Sequence, residues 1–210
     1  MIELSLNEVE MLAAKVARGA GFSWGLCDDI GKCARALAAG GLPWAPSLLA
    51  LARDAPTLAP PTQLRSAETA LSPSGAGFRL CPIRTGALIA DSPDLVTSPL
   101  QIDYVAHPLW LVGFAVLWNT SQTVSWQGAR ADVRDSVIAA QAADAGWLMA
   151  DASVTVSAGY DGIHQPDLRR RADVDAKVFG ALGAIAARTY VPASASSRAT
   201  GAGGSRTDDE

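Results

Sequence analysis

Apolar residues near the start of the chain recur every three or four positions, which is the spacing of a helix that buries one face. Ser5 and Glu8 stand three apart ahead of this stretch, the spacing of a capping box in which each side chain bonds the other residue's backbone N–H. Gly19 and Gly21 predict where the helix ends. The apolar stripe consists of Leu6, Val9, Leu12, Ala13 and Val16.

Two more helices are predicted before residue 54. Ser23 is the expected cap of the second helix, and Gly40 with Gly41 ends it. Pro46 is expected to open a third, short helix that runs to about Arg53. The apolar stripe of the second helix consists of Leu26, Cys27, Ile30, Ala34 and Leu37.

Four prolines and two glycines interrupt residues 54–77 and predict a connector without regular structure. Beyond it, short apolar or alternating segments predict a β-rich part. Residues 109–118 follow Pro108 and form a continuous apolar run, which favours a buried helix. The predicted strands cover residues 78–83, 86–90, 101–105, 123–126 and 153–157.

A last helix is expected after Asp167, with Arg169–Arg171 in its solvated first turns and Val174, Val178, Leu182 and Ile185 along one side. The pattern as a whole predicts an α+β fold in one domain, residues 1–190. Its expected parts are a helical part at 1–53, the connector at 54–77, and a β-rich part with the closing helix at 78–190. Residues 191–210 are rich in Ser, Ala and Gly, end on acidic residues, and predict a tail.

Composition narrows the classes of function. The formal net charge is −4 and the only dense basic run is three arginines long, so a nucleic-acid partner is not expected. The longest apolar run is shorter than the roughly 20 residues that cross a bilayer, and no targeting signal is visible, so a cytoplasmic protein without a membrane partner is expected. Three cysteines without paired short spacing predict reduced thiols, and no metal or cofactor motif is present.

Both ends of the chain carry a family resemblance. SLNEVE at residues 5–10, continuing through RGAGFSWGL at residues 18–26, resembles the N-terminal signature of an uncharacterised bacterial family known as a domain of unknown function. ARTYVPAS at residues 187–194 is similar to that family's C-terminal signature. The resemblance implies no assigned activity, cofactor or catalytic residue.

A second resemblance concerns the opening helices alone. SLNEV at residues 5–9, followed by an alanine-rich helix ending at Gly40-Gly41, is similar to the start of the malate/lactate/ureidoglycolate dehydrogenase family. In that family a Ser-His-Gly follows and supplies a catalytic histidine, whereas this chain reads GLPW at residues 41–44. Nicotinamide binding and hydride transfer are therefore not carried over.

Only two histidines exist. His107 lies between a predicted strand and a predicted helix, where Asp103 could orient its imidazole as a general base. The alternative is a histidine that bonds locally and shapes the turn. His164 and Asp161 could contribute to a metal site with a third ligand, but a surface turn is the preferred interpretation, so no metal is expected.

Other candidate side chains point to ligand binding. Arg84 precedes a glycine turn and could clamp a carboxylate through two parallel hydrogen bonds, or form a surface salt bridge. Arg188 could bind a ligand or complement a helix C-terminus. Tyr104, Trp24 and Tyr190 complete the candidate ligand-binding set.

Three functions remain open from the sequence. The first is an accessory or small-molecule-binding protein of metabolism that acts through self-association or a partner enzyme. The second is a small enzyme on a carboxylate-bearing metabolite, with Arg84 as anion clamp and Asp103 and His107 as acid and base. The third is a ligand-binding module without chemistry.

Overall fold

The fold was determined as a computed structural model, which describes residues 1–61, 70–73, 77–96, 99–118, 120–142, 146–159 and 168–190. The predicted tail at 191–210 and the candidate residues Asp161 and His164 lie outside the described residues. The architecture is α+β, as predicted, with helices packed against one face of a mixed sheet.

The three N-terminal helices confirm the sequence prediction. They are α1 (Leu6–Gly19), α2 (Trp24–Ala39) and α3 (Trp44–Asp54), with the third starting two residues earlier than expected. The capping box is formed: the Ser5 backbone N–H donates to Glu8 Oε2 at 2.7 Å, and the Glu8 N–H donates to Ser5 Oγ at 3.3 Å. The apolar stripes of α1 and α2 face the core, where Val9 and Ile30 are fully buried.

A six-stranded sheet forms the second layer, in the order β2-β3-β7-β4-β5-β6. All its strand pairs are antiparallel except the parallel pair of β2 with β3. The hairpins β4-β5 and β5-β6 join the predicted β4 to two strands that the sequence reading did not find. The bounds are β2 (Ala70–Leu71), β3 (Leu100–Ala106), β4 (Gln122–Trp126), β5 (Ala129–Arg134), β6 (Val137–Ala142) and β7 (Asp151–Ala158).

The two faces of this sheet differ in polarity, as the alternation of side chains along each strand dictates. On one face the strands carry fully buried aliphatic side chains that pack in the same core as the helices, among them Ile102, Val124 and Val154. On the other face the matching positions are polar, as in the cross-strand pair in which Thr155 donates to Gln101 at 2.9 Å. The helices therefore cover one side of the sheet.

Residues 82–91 correct the sequence reading. The predicted strands at 78–83 and 86–90 are wrong, because Pro82 opens the helix α4 (Pro82–Asp91) and only Leu80 makes isolated bridges to neighbouring backbone. α4 packs on α5 (Leu109–Ala115), the buried helix that the apolar run predicted. The contact is close: a Cβ at Gly86 would lie inside van der Waals contact with the Phe114 side chain.

The C-terminal helix also begins later than predicted. α6 (Ala176–Ala186) is capped by Asp175, whose side chain accepts from Lys177 and Val178 backbone N–H groups, so Asp167 is not the cap. The expected first turns are instead the strand β8 (Arg171–Val174), which pairs antiparallel with β1 (Ile2–Ser5). On α6, Leu182 is fully buried, as expected, whereas Val178 is only partly buried.

Two further observations bear on the sequence expectations. Cys27, Cys33 and Cys81 are free thiols and all three are buried. Burial raises the pKa of each of these thiols above its ordinary value. Within the described residues, no helix has the length and apolar character that crossing a membrane requires.

Candidate functional site

A cleft of about 700 Å³ opens where the bulged end of β3 meets the segment before α4. Two aromatic side chains stand at this cleft with more than half of their surface exposed: Phe78 at 52% and Tyr104 at 65%. Large exposed aromatic rings at a concave surface are typical of ligand sites. Among the described residues, the lining consists of Ser72, Pro73, Gly77, Phe78, Arg79, Asp103, Tyr104 and Asp151.

A β-bulge in β3 creates this lining. Ile102 and Val105 both pair with β7 and both are buried, although they are three residues apart. Strict alternation cannot place such residues on one face, so one extra residue must be accommodated between them. Tyr104 takes that place with a left-handed backbone (φ +54°), and it therefore projects beside Asp103 at the cleft.

Arg79 forms the inner wall of the cleft. Its neighbour Leu80 pairs with β3: the Leu80 N–H donates to the Tyr104 carbonyl, and the Ala106 N–H donates to the Leu80 carbonyl. On the other side, the Ala59 N–H donates to the Arg79 carbonyl. The Arg79 guanidinium donates through Nη2 to Asp54 Oδ2 at 2.9 Å and through Nη1 to the Ala150 carbonyl at 3.4 Å. Both Nη atoms of Arg79 therefore donate to acceptors within the protein.

Behind Arg79 lies His107, which is 7% exposed and has a left-handed backbone (φ +47°). Its Nε2 lies 2.9 Å from the same Asp54 oxygen that Arg79 contacts. A carboxylate can only accept a hydrogen bond, so Nε2 carries the proton and donates. The His107 backbone N–H donates to the Ala150 carbonyl, which also accepts from Arg79. Asp54 therefore joins the end of α3 to both residues.

The protonation states follow from these contacts. Burial lowers the pKa of His107, against the opposing effect of the Asp54 carboxylate. Partial burial of Asp54 opposes its ionisation, but the hydrogen bonds from His107 and Arg79 outweigh it and lower the pKa of Asp54. Near pH 7 the group therefore consists of a neutral imidazole, an ionised carboxylate and a guanidinium.

The charge of the cleft is negative. The Arg79 charge is balanced by its 2.9 Å ion pair with Asp54. Asp103 and Asp151 lie on the polar face of neighbouring strands and contribute two further carboxylates to the lining. A cleft with excess carboxylates and accessible aromatic faces attracts cations, because both groups stabilise positive charge.

The predicted pairing of Asp103 with His107 is not formed. Asp103 accepts from Ser153 Oγ at 3.2 Å on the sheet surface, whereas His107 is paired with Asp54. The bulge explains the difference. Strict alternation would place residues 103 and 107 on the same face, but the extra residue between Ile102 and Val105 reverses the alternation for the residues that follow. Asp103 therefore stays on the polar face, whereas His107 is buried. The alternative interpretation was a histidine that bonds locally and shapes the turn. The left-handed backbone of His107 agrees with a role in the turn, but its side chain bonds Asp54, 53 residues away, and not a local partner.

The remaining candidate residues do not gather at this cleft, apart from Tyr104. Arg84 is exposed on α4 and is absent from the lining. Trp24 is 68% exposed at the start of α2, where the Arg18 guanidinium stacks 4.2 Å from its ring centroid. Arg188 is exposed after α6, and Tyr190 lines a separate groove between α1 and α6.

Sequence reasoning missed four residues of this site. Asp54 is the first residue of the predicted connector and Arg79 lies just after its end, 25 residues later, and no local motif links them. Phe78 was placed in a predicted strand, and Asp151 lies just ahead of a predicted one. The one available signal was the odd spacing of Ile102 and Val105, which indicates a bulge.

Among the described residues, no group of three or more His, Cys, Asp or Glu side chains is arranged to hold a metal ion. Comparison with curated proteins and with solved structures finds no match. Residues 4–76 match a family model described as "Protein of unknown function (DUF3726)". This range includes the N-terminal signature and Asp54, but it ends before residues 187–194. The expected relation to an uncharacterised family is thereby supported over the N-terminal part, while the dehydrogenase similarity of the first helices stays an expectation.

Proposed function

We propose that the protein binds a small molecule with a positively charged amine in the cleft between Phe78, Tyr104, Asp103 and Asp151. The observation that carries the proposal is that two exposed aromatic rings and two carboxylates line the same concave surface. This is a binding role, the first of the three functions left open by the sequence.

The chemistry of recognition follows from the lining. An ammonium group over the face of an aromatic ring gains about 0.5–2 kcal/mol, and more as water is excluded. Each carboxylate adds roughly 1 kcal/mol at a separation of about 4 Å in a solvated setting. Phe78 and Tyr104 supply the ring faces, and Asp103 and Asp151 supply the charge.

The buried group of Asp54, Arg79 and His107 holds the cleft in shape. Asp54 fixes the Arg79 side chain, which would otherwise present a free cation to the ligand. Arg79 and His107 share the Ala150 carbonyl next to Asp151. The group therefore positions the lining and keeps its net charge negative.

The enzyme alternative has less support from this arrangement. It requires Arg84 and His107 at one substrate, yet Arg84 is absent from the cleft and the His107 side chain is 8% exposed behind Arg79. A carboxylate-bearing substrate also meets two carboxylates in the cleft. Binding without chemistry, in support of a partner enzyme or a second copy of the chain, fits the geometry better.

Thermal denaturation with matched probes tests the proposal. Choline and spermidine represent amines, and acetate and citrate represent carboxylates. A ligand at 100 times its Kd stabilises the folded state by about 2.7 kcal/mol, which raises Tm by several degrees. We expect the amines to raise Tm and the carboxylates to leave it unchanged. Stabilisation by the carboxylates alone would contradict the proposal. Mass spectrometry of the recovered amine, expected unchanged, separates binding from catalysis.

A further inference from the structure

A second surface lies away from the cleft, in the groove between α1 and α6. It encloses about 310 Å³. The α1 residues in its lining are spaced like one stripe of a helix, at positions 8, 11, 12 and 15. The α6 side is spaced the same way, at positions 179, 183 and 186, with Tyr190 just beyond the helix. Two helices thus present one continuous, mostly apolar groove.

This surface is unusually apolar for a helix pair at the outside of a protein. The sequence of α6, AKVFGALGAIA, has Lys177 as its one charged residue, yet only Leu182, Ile185 and Ala186 are buried. A helix that is apolar all round is normally covered on all sides. Met11 and Tyr190, at 53% and 62% exposure, add large side chains to the uncovered area.

The charged residues of the groove indicate which kind of partner would bind there. Glu8 and Lys15 are the two charged residues among the described residues that line it. They stand seven residues apart on α1, about 10 Å along the helix axis. The hydrogen bonds from the Ser5 backbone and side chain lower the pKa of Glu8, so this carboxylate is ionised. Met11 and Leu12 lie midway between the two charges.

Such an arrangement is complementary to itself. In a two-fold interface residue i contacts residue j of the partner, and j contacts i. An axis through Met11 and Leu12, with the two copies of α1 antiparallel, places Glu8 of each chain opposite Lys15 of the other. We propose that the α1–α6 groove is the interface of a two-fold homodimer with reciprocal Glu8–Lys15 ion pairs around a central Met11.

The chain's own C-terminal sequence is a poorer match for this groove. Residues 191–210 contain Val191 as their one large aliphatic residue, and otherwise consist of small, polar and charged residues and one proline. A second copy instead offers the same Met11, Phe179 and Tyr190 surface in return. Aromatic residues and methionine are enriched in such interfaces.

Charge reversal tests the proposal through the oligomeric state of the full chain. Lys15→Glu places two carboxylates opposite each other, and Glu8→Lys places two ammonium groups opposite each other. Each variant alone is expected to weaken the dimer by roughly 10-fold or more, since two pairs turn repulsive. An equimolar mixture of the two restores both attractive pairs and is expected to form a heterodimer. Lys32→Glu, which reverses a charge on α2 outside the groove, is the matched control and is expected to leave the dimer intact.

Sedimentation velocity of each variant and of the mixture gives the result. Because Glu8→Lys also removes part of the capping box, circular dichroism is recorded for every variant. Met11→Lys spares that box and is expected to weaken the dimer at least as much as Lys15→Glu. A wild-type chain that remains monomeric at high micromolar concentration overturns the proposal. A dimer that is unaffected by both Lys15→Glu and Met11→Lys overturns it as well.

Discussion

Replacing His107 with glutamine removes one titrating group while keeping a nitrogen donor close to the position of Nε2. In the folded protein His107 is 7% exposed, and burial holds the pKa of its imidazole below the ordinary value, although Asp54 opposes this. In the unfolded chain the pKa of the same imidazole is about 6.5. Between these two pKa values the unfolded chain binds more protons than the folded one, so the free energy of unfolding rises with pH.

The lowered pKa of His107 determines how the free energy of unfolding depends on pH. The contribution of His107 is fully present above about pH 6.5 and is lost as the pH falls towards the lower pKa of the folded state. One group changes the free energy of unfolding by at most about 1.4 kcal/mol per pH unit. From pH 6.5 to 5.5 the wild type should therefore lose up to about 1.4 kcal/mol more than His107→Gln.

Urea denaturation followed by tryptophan fluorescence between pH 7.5 and 5 measures this difference. The variant also carries a pH-independent change in stability, because glutamine does not reproduce the packing of the buried imidazole, so the test rests on the difference in slope between the two curves. The lowered pKa of Asp54 adds a loss at more acidic pH in both proteins. Parallel curves for the two proteins between pH 7 and 5 would refute a buried, neutral His107 paired with Asp54.

Three further predictions concern the fold. Gly86→Ala should destabilise the protein by about 3 kcal/mol, because no space for a Cβ exists beside Phe114. Gly25→Ala, at a position on α2 with no neighbouring atoms, should stabilise the protein by at most about 1 kcal/mol. Equal free energies of unfolding for the two variants in urea titrations would contradict the α4–α5 contact. Ser5→Ala should cost about 1 kcal/mol, while Ser23→Ala, at a cap without a side-chain bond, should cost almost nothing in the same assay. The buried Cys33 thiol, with its raised pKa, should react with a thiol reagent only after unfolding, and reaction in native buffer would disprove its burial.

Local signals in the sequence predicted the helices well where caps and apolar spacing agree. Ser5 and Glu8 predicted the start of α1, and the apolar run after Pro108 predicted α5. The predicted strands around Ile83 are wrong because a short apolar run does not distinguish a strand from a buried helix. Pro82 was the deciding feature, since proline is favoured in the first turn of a helix.

Long-range pairing could not be predicted in this way. β8 forms because Arg171–Val174 pairs with Ile2–Ser5, and no feature of either segment identifies the other as its pairing partner. The same holds for the cleft: Asp54 and His107 are 53 residues apart, and their contact depends on how α3 packs beside the sheet. Asp103 lines the cleft, but the histidine that the sequence analysis paired with it turns inward and contacts Asp54.

The most direct test of the central claim is isothermal titration of choline and spermidine into the wild type and into the double variant Asp103→Asn/Asp151→Asn. Asp28→Asn, which removes an exposed carboxylate outside the cleft lining, is the matched control. Loss of two carboxylates should weaken amine binding by about 10-fold or more, while the control retains the wild-type Kd. An equal Kd for the double variant and the control would contradict the assignment of the cleft as a site for cationic ligands.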